Sequence, residues 1–246
     1  MFDSKKMNIV LPVALERKFL AIADCSVRRK LIADVLLRGD AQTLCLFIEH
    51  LFSNITRQEC RGLYFDTLVS LMGAELSSVF PGETLLSLFE DKKVKPFVCF
   101  LWEGEEADEK AVTWERDYDM DEVPLGVRKA KARLHNKDLL MRLCDDPHPD
   151  VISILLANPM ACEEHALRVA SIRPQSKGIF MVVLRSRFGV RDRVLSAVAQ
   201  NPWCPKRIAL ALLPLLARVV LQEISTSTVL DKRIVEASKK LLGTSY

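Results

Sequence analysis

A chain of 246 residues with 49% hydrophobic and 27% charged content reads as one large or two smaller globular domains, and not as a disordered or fibrous protein. Only 9 Gly and 11 Pro exclude a turn-rich β-sandwich, while abundant Leu, Ala, Arg, Lys and Glu favour helices. The net charge of +3 hides a split: residues 1–124 hold 15 Lys and Arg against 22 Asp and Glu, a net of −7, whereas residues 125–246 hold 20 against 10, a net of +10.

In chain order, Lys5-Lys6 ahead of Met7 to Leu15 superficially suggest a short signal sequence, but Glu16-Arg17-Lys18 interrupt it and no small-residue cleavage pattern follows. Apolar residues at helical spacing predict a helix from Pro12 to about Cys25 and a second over Val27 to Leu37, stopped by Gly39. Asp40 is the expected N-cap of a third helix through Phe52, and Thr56 with Glu59 forms a capping-box signature for a fourth running to about Met72. Short helices are expected over Glu75–Phe80 and Glu83–Phe89, and Val94 to Trp102 suits a strand or a helix.

From Glu103 to Glu122 ten carboxylates face only Lys110 and Arg116. Such a block repels itself, so residues 103–124 are expected to be an acidic linker or loop between a helical N-terminal region, 1–102, and a C-terminal part, 125–246. Asp117 to Asp121 imitates the opening of a calcium loop, yet Glu122 and Arg128 stand where that loop needs Gly and Glu.

Beyond the linker, helices are expected over Leu125–His135, Asp138–Cys144, Val151–Ala157, Cys162–Ser171, Lys177–Arg185, Val190–Gln200 and Lys206 to about Val220. The segment Val151 to Asn158-Pro159 returns as Val194 to Asn201-Pro202 at a constant offset of 43 residues, and a truncated third copy begins near Leu230. Proline removes a donor and bends the preceding residue out of the helical region, so each Asn-Pro ends its helix. Lys206 to Leu221 is apolar over most of its circumference and must be sandwiched between neighbours. The longest apolar run, Ile208 to Ala217, is ten residues, against about 20 for a membrane span.

The units Pro147-His148-Pro149-Asp150 to Asn158-Pro159 and Val190-Arg191-Asp192 to Asn201-Pro202-Trp203-Cys204-Pro205 resemble HEAT-type repeats, and more closely bacterial leucine-rich-repeat-variant units. The resemblance covers about residues 137–245. It implies an all-α fold: a helical N-terminal region followed by a short HEAT-like solenoid. Variant-repeat proteins can carry an N-terminal cysteine cluster for an iron–sulfur centre. Cys25, Cys45 and Cys60 are too widely spread to match it, so no cofactor is carried over.

Seven cysteines without a Cys-x-x-Cys pair, and four histidines far apart, give no metal-ligand spacing, and reduced thiols fit a cytoplasmic protein. Neither a phosphate-binding glycine loop nor a Gly-x-Ser-x-Gly elbow is present, so no catalytic residues are assigned. Arg173, Lys177, Arg185, Arg187, Arg191, Arg193, Lys206 and Arg207 gather within 35 positions, opposed only by Asp192. Stacked repeats are expected to bring such positions onto one face as a basic stripe. Trp203 is a candidate partner anchor, whereas Asn158-Pro159 and Asn201-Pro202 are expected to be structural turns. The favoured reading is a non-enzymatic protein–protein interaction or scaffold module. Alternatives are nucleic-acid binding on the basic face, including a HEAT-like DNA-repair glycosylase, and a regulator binding a small ligand between the two halves.

Overall fold

The computed structural model describes residues 12–38, 41–72, 120 and 122–243, which form thirteen α-helices, one short 3-10 helix and no strand. The chain divides into two compact units, residues 1–102 and 103–246. The expected elements over 75–102 and the acidic block, apart from Met120 and Glu122, lie outside the described residues.

In the first unit, α1 (Pro12–Leu20), α2 (Cys25–Arg38), α3 (Ala41–Ser53) and α4 (Gln58–Met72) share a core of Phe19, Ile32, Leu36, Phe47, Leu51, Leu63 and Leu68. Phe19 and Phe47 meet edge to face with centroids 5.5 Å apart. Asp24 caps α2, its Oδ1 accepting the N–H groups of Ser26 and Val27 at 2.8 and 3.0 Å. α4 starts at Gln58 rather than Thr56: the Arg57 carbonyl accepts the Arg61 N–H at 2.9 Å, and the Arg57 side chain reaches Glu16 of α1.

Two buried carboxylates tie these helices. Glu16, 5% exposed, receives His50 of α3 at 2.6 Å on Oε2, and Arg57 at 3.0 Å and the Cys60 thiol at 3.6 Å on Oε1. Asp66 of α4, 2% exposed, accepts Nε of Arg28 and of Arg29 of α2, both at 2.7 Å. Arg28 also donates to the carbonyl of Ile22, holding the α1–α2 turn against the same site.

The second unit contains α5 (Leu125–Lys131), α6 (Lys137–Leu143), α7 (Pro149–Ala157), α8 (Glu163–Ser171), α9 (Lys177–Arg185), α10 (Asp192–Ala199), α11 (Lys206–Leu212), α12 (Arg218–Ser225) and α13 (Lys232–Gly243). α5 stops four residues short of the expected His135, since the carbonyls of Ala132 and Leu134 are taken by a side chain from elsewhere. The single helix expected over Lys206 to Val220 is two: Pro214 sits in a 3-10 turn, Leu213–Leu215, that ends α11, and the chain restarts as α12.

Several helices two elements apart run in the same direction, here called odd and even rows by their numbers. In the odd row α5, α7 and α9 bring their C-terminal ends together: Asn158, after α7, donates to carbonyls at the end of α5, and Arg187, after α9, donates to the carbonyls of Asn158 and Ala161. In the even row α8 and α10 align in the same way, with Arg193 of α10 on Glu164 of α8 at their starts and Asn201 on the end of α8 at their finish. α11 and α13 start together through Lys206 and Asp231, 2.9 Å apart. The last helix buries Ile234, Ala237, Ser238 and Leu241 and turns Lys232, Arg233, Glu236 and Lys239 outward.

One glycine is required by close approach. A Cβ at Gly189, in the turn before α10, would stand 2.2 Å from the Leu184 carbonyl oxygen and 2.7 Å from its carbon. Both are backbone atoms and cannot rotate away. Gly189→Ala is expected to destabilise the protein by about 2 kcal/mol, measurable by urea unfolding with an unchanged m-value.

Candidate interaction surface of the C-terminal unit

The 43-residue sequence period corresponds to three helices. First helices start at Leu125, Glu163 and Lys206, second at Lys137, Lys177 and Arg218, third at Pro149, Asp192 and Lys232. From α7 to α10 the helices alternate in direction, so α7 and α10, which the two Asn-Pro turns end, run opposite ways. The equivalent Asn-Pro turns therefore lie on opposite edges of the unit.

The two Asn-Pro turns illustrate this. Asn158, 4% exposed, donates from Nδ2 to the carbonyls of Ala132 at 2.9 Å and Leu134 at 3.0 Å, while its Oδ1 accepts the Met160 N–H at 2.9 Å. Asn201, 1% exposed, donates to Ala170 and Ile172, both at 2.9 Å, and accepts from Trp203 N–H at 3.0 Å. Each amide thus satisfies orphan carbonyls at the end of a helix two elements earlier, on the odd edge for Asn158 and the even edge for Asn201. Pro159 and Pro202 follow as the helix stops, Pro159 exposed and Pro202 half-buried.

The eight basic residues are dispersed among several duties. Arg187 stacks on Phe188, 4.8 Å from the ring centroid, while its Nη2 donates to Asn158 at 2.9 Å and Ala161 at 2.8 Å, so it staples one copy to the next. Arg193 pairs with Glu164 at 3.0 Å and stands 3.9 Å from Glu163. Lys206 pairs with Asp231, and Arg173 donates to the carbonyl of Gln200 at 3.4 Å. Lys177 and Arg185 are exposed at the two ends of α9, with interactions of their own. Arg207 is half-buried in α11, and Arg191 is the exposed N-cap of α10. Trp203 is half-buried at the even edge, held through its backbone by Asn201.

What the sequence reading did not single out is an open groove of about 450 Å³ across the even row. Its walls are Met141 of α6, Glu164, Leu167, Arg168 and Ser171 of α8, and Arg193 of α10. Met141 and Leu167 are half-buried and supply the apolar floor. Arg168 grips Asp145 through two nitrogens at 2.6 and 3.3 Å, and this hydrogen-bonded carboxylate raises the guanidinium further above its ordinary value. The rim therefore alternates in sign, with each arginine matched to a neighbouring acid. Residues contributed by three helices at unequal spacing leave no local motif, which is why this surface is silent in the sequence.

His148 forms a local turn, donating its N–H to Asp146 Oδ1 at 2.8 Å and accepting the Asp150 N–H on Nδ1 at 3.2 Å. Asp146 is fully buried and pairs with Arg128 at 2.8 Å. Among the described residues no group of three His, Cys, Asp or Glu side chains is placed to hold a metal ion, and no helix is long and apolar enough to cross a membrane. Comparison with protein-family models, curated proteins and solved structures finds no match to this chain.

Proposed function

We propose that the C-terminal unit is a short HEAT-like helical array acting as a non-enzymatic protein-binding module, with the even-row groove receiving a peptide segment of a partner protein. Two rows of same-direction helices, linked through their ends, are the arrangement by which such arrays bury the broad apolar faces of short helices.

The observation that carries this reading is the charge-matched groove. Its arginines are already balanced by Asp145 and Glu164, so it offers an apolar floor with hydrogen-bonding groups of both signs. A peptide with apolar anchors and mixed charges fits that lining, whereas a polyphosphate backbone seeks unmatched cations.

The test is a random-peptide display selection against the full-length protein, followed by binding measurements on Leu167→Asp and Arg168→Glu. Enriched peptides should lose about tenfold or more in affinity to both variants, with the helical circular-dichroism signal retained. Fluorescence anisotropy with duplex DNA at about 50 and 200 mM salt is the companion measurement. Binding that collapses with salt, at a slope near −0.9 per phosphate neutralised, would replace this reading with nucleic-acid recognition.

A further inference from the structure

We propose that Cys162 is a nucleophilic thiol served by His165, forming a reversible mixed disulfide with low-molecular-weight disulfides at the N-terminus of α8. The pair is held by the helix itself. Cys162 is the N-cap residue, its carbonyl accepts the backbone N–H of His165 at 3.1 Å, and its own N–H donates to His165 Nδ1 at 3.1 Å. Sγ and Nδ1 lie 3.0 Å apart, within reach for proton transfer. Accepting that N–H leaves Nδ1 as the ring's lone-pair nitrogen. Burial holds the imidazole below its ordinary value, so at neutral pH it is an uncharged base.

A second observation separates this pair from an ordinary helix cap. In the next copy the same two positions, 43 residues on, are Pro205 and Ile208, and α11 begins there with no side-chain cap. Ile208 is buried much as His165 is, both at 3% exposure, so the repeat fold accepts a hydrocarbon at this place. His165 instead carries a buried Nε2 with no hydrogen-bond partner among the described residues. An unpartnered donor in the interior works against stability, and the fold elsewhere shows it is not needed. What the imidazole adds is its other nitrogen, directed at an exposed thiol.

The remaining thiols of this unit are withheld from chemistry. Cys144 is fully buried and its thiol is pushed up to about 12, first by burial and then by the Asp145 charge. Cys204 is likewise buried and pushed up by desolvation. Cys162 is exposed.

In the reaction, Nδ1 releases the Cys162 N–H and takes the thiol proton in its place, and the sulfur attacks one sulfur of a disulfide R–S–S–R. The Cys162–S–S–R bond forms as the old S–S bond breaks, and the departing thiolate R–S⁻ regains the proton from the imidazolium as RSH. Electrons balance within the disulfide, so no other oxidant enters.

The first unit supplies an internal control. Cys25 is also exposed and opens α2, but behind the carboxylate cap of Asp24. The experiment is stopped-flow reaction of the full-length protein with the chromogenic disulfide DTNB, with labelled peptides located by mass spectrometry. A phase faster than that of Cys25 by on the order of tenfold is expected, lost in Cys162→Ser and retained in Cys25→Ser. Equal rates at the two cysteines would overturn the proposal. In His165→Gln the amide oxygen can still accept the Cys162 N–H and keep the cap, but no base remains. The fast phase should then fall to the Cys25 rate. A fast phase surviving in that variant would assign the reactivity to the helix terminus alone and overturn the role of His165.

Discussion

Asn201→Ala is expected to lower stability by about 3 kcal/mol, read as a drop of roughly 6–12 °C in melting temperature, because one small side chain serves three backbone groups. The Ala170 and Ile172 carbonyls lose their donor and the Trp203 N–H loses its acceptor. With Asn201 1% exposed, water does not readily replace it. Asn158→Ala should cost a similar amount by the same geometry on the odd edge. The informative comparison is Asn201→Asp, which keeps the acceptor for Trp203 but turns a carboxylate oxygen toward two carbonyls. Thermal denaturation should rank aspartate at or below alanine. If aspartate were the milder change, donation by the amide would not be what holds the turn.

Glu16→Ala is expected to destabilise the first unit by about 3 kcal/mol, since it strips a shared partner from helices α3 and α4 at a buried position. The His50 hydrogen bond is the main cause holding the Glu16 carboxyl below its ordinary value of 4.5, assisted by the Arg57 charge, while burial opposes them. A carboxyl lowered in the folded state contributes stability that is fully present above its unfolded value and is lost as pH falls through the folded one. The melting temperature of the native protein should therefore fall from pH 5 to pH 3 more steeply than that of Glu16→Gln, which has no charge to lose. Parallel pH curves for the two proteins would remove Glu16 as the source of that acid sensitivity.

The helical character and most C-terminal helix limits were legible because Pro, Gly and Asn punctuate short apolar stretches. Asn158-Pro159 closes α7 as expected, whereas the helix opens at Pro149, two residues before the expected Val151, because a proline suits the first helical position. Pro214 was equally visible, but Lys206 to Val220 is apolar on every side, so periodicity gave no phase in which to see the break. The ties that decide packing were not legible. Glu16 meets partners 34 and 44 residues away, and Arg187 meets carbonyls 29 and 26 residues back. Sequence spacing counts residues, whereas the position of Arg187 or Arg193 on a face depends on how many times the chain reverses between copies. Within that cluster of cations Arg187 is a staple and Arg193 and Lys206 pair with carboxylates, while Lys177, Arg185 and Arg191 are exposed.

In the helical array proposed above, that reversal count sets a parity. A duplication inserting one three-helix copy would invert everything downstream, exchanging the two edges and turning each following groove wall end for end. Inserting two copies would restore the original sense. Growth of this unit by tandem duplication, natural or engineered, is thus expected to preserve a working surface only in even steps, a handedness rule imposed by nothing more than an odd number of helices per repeat.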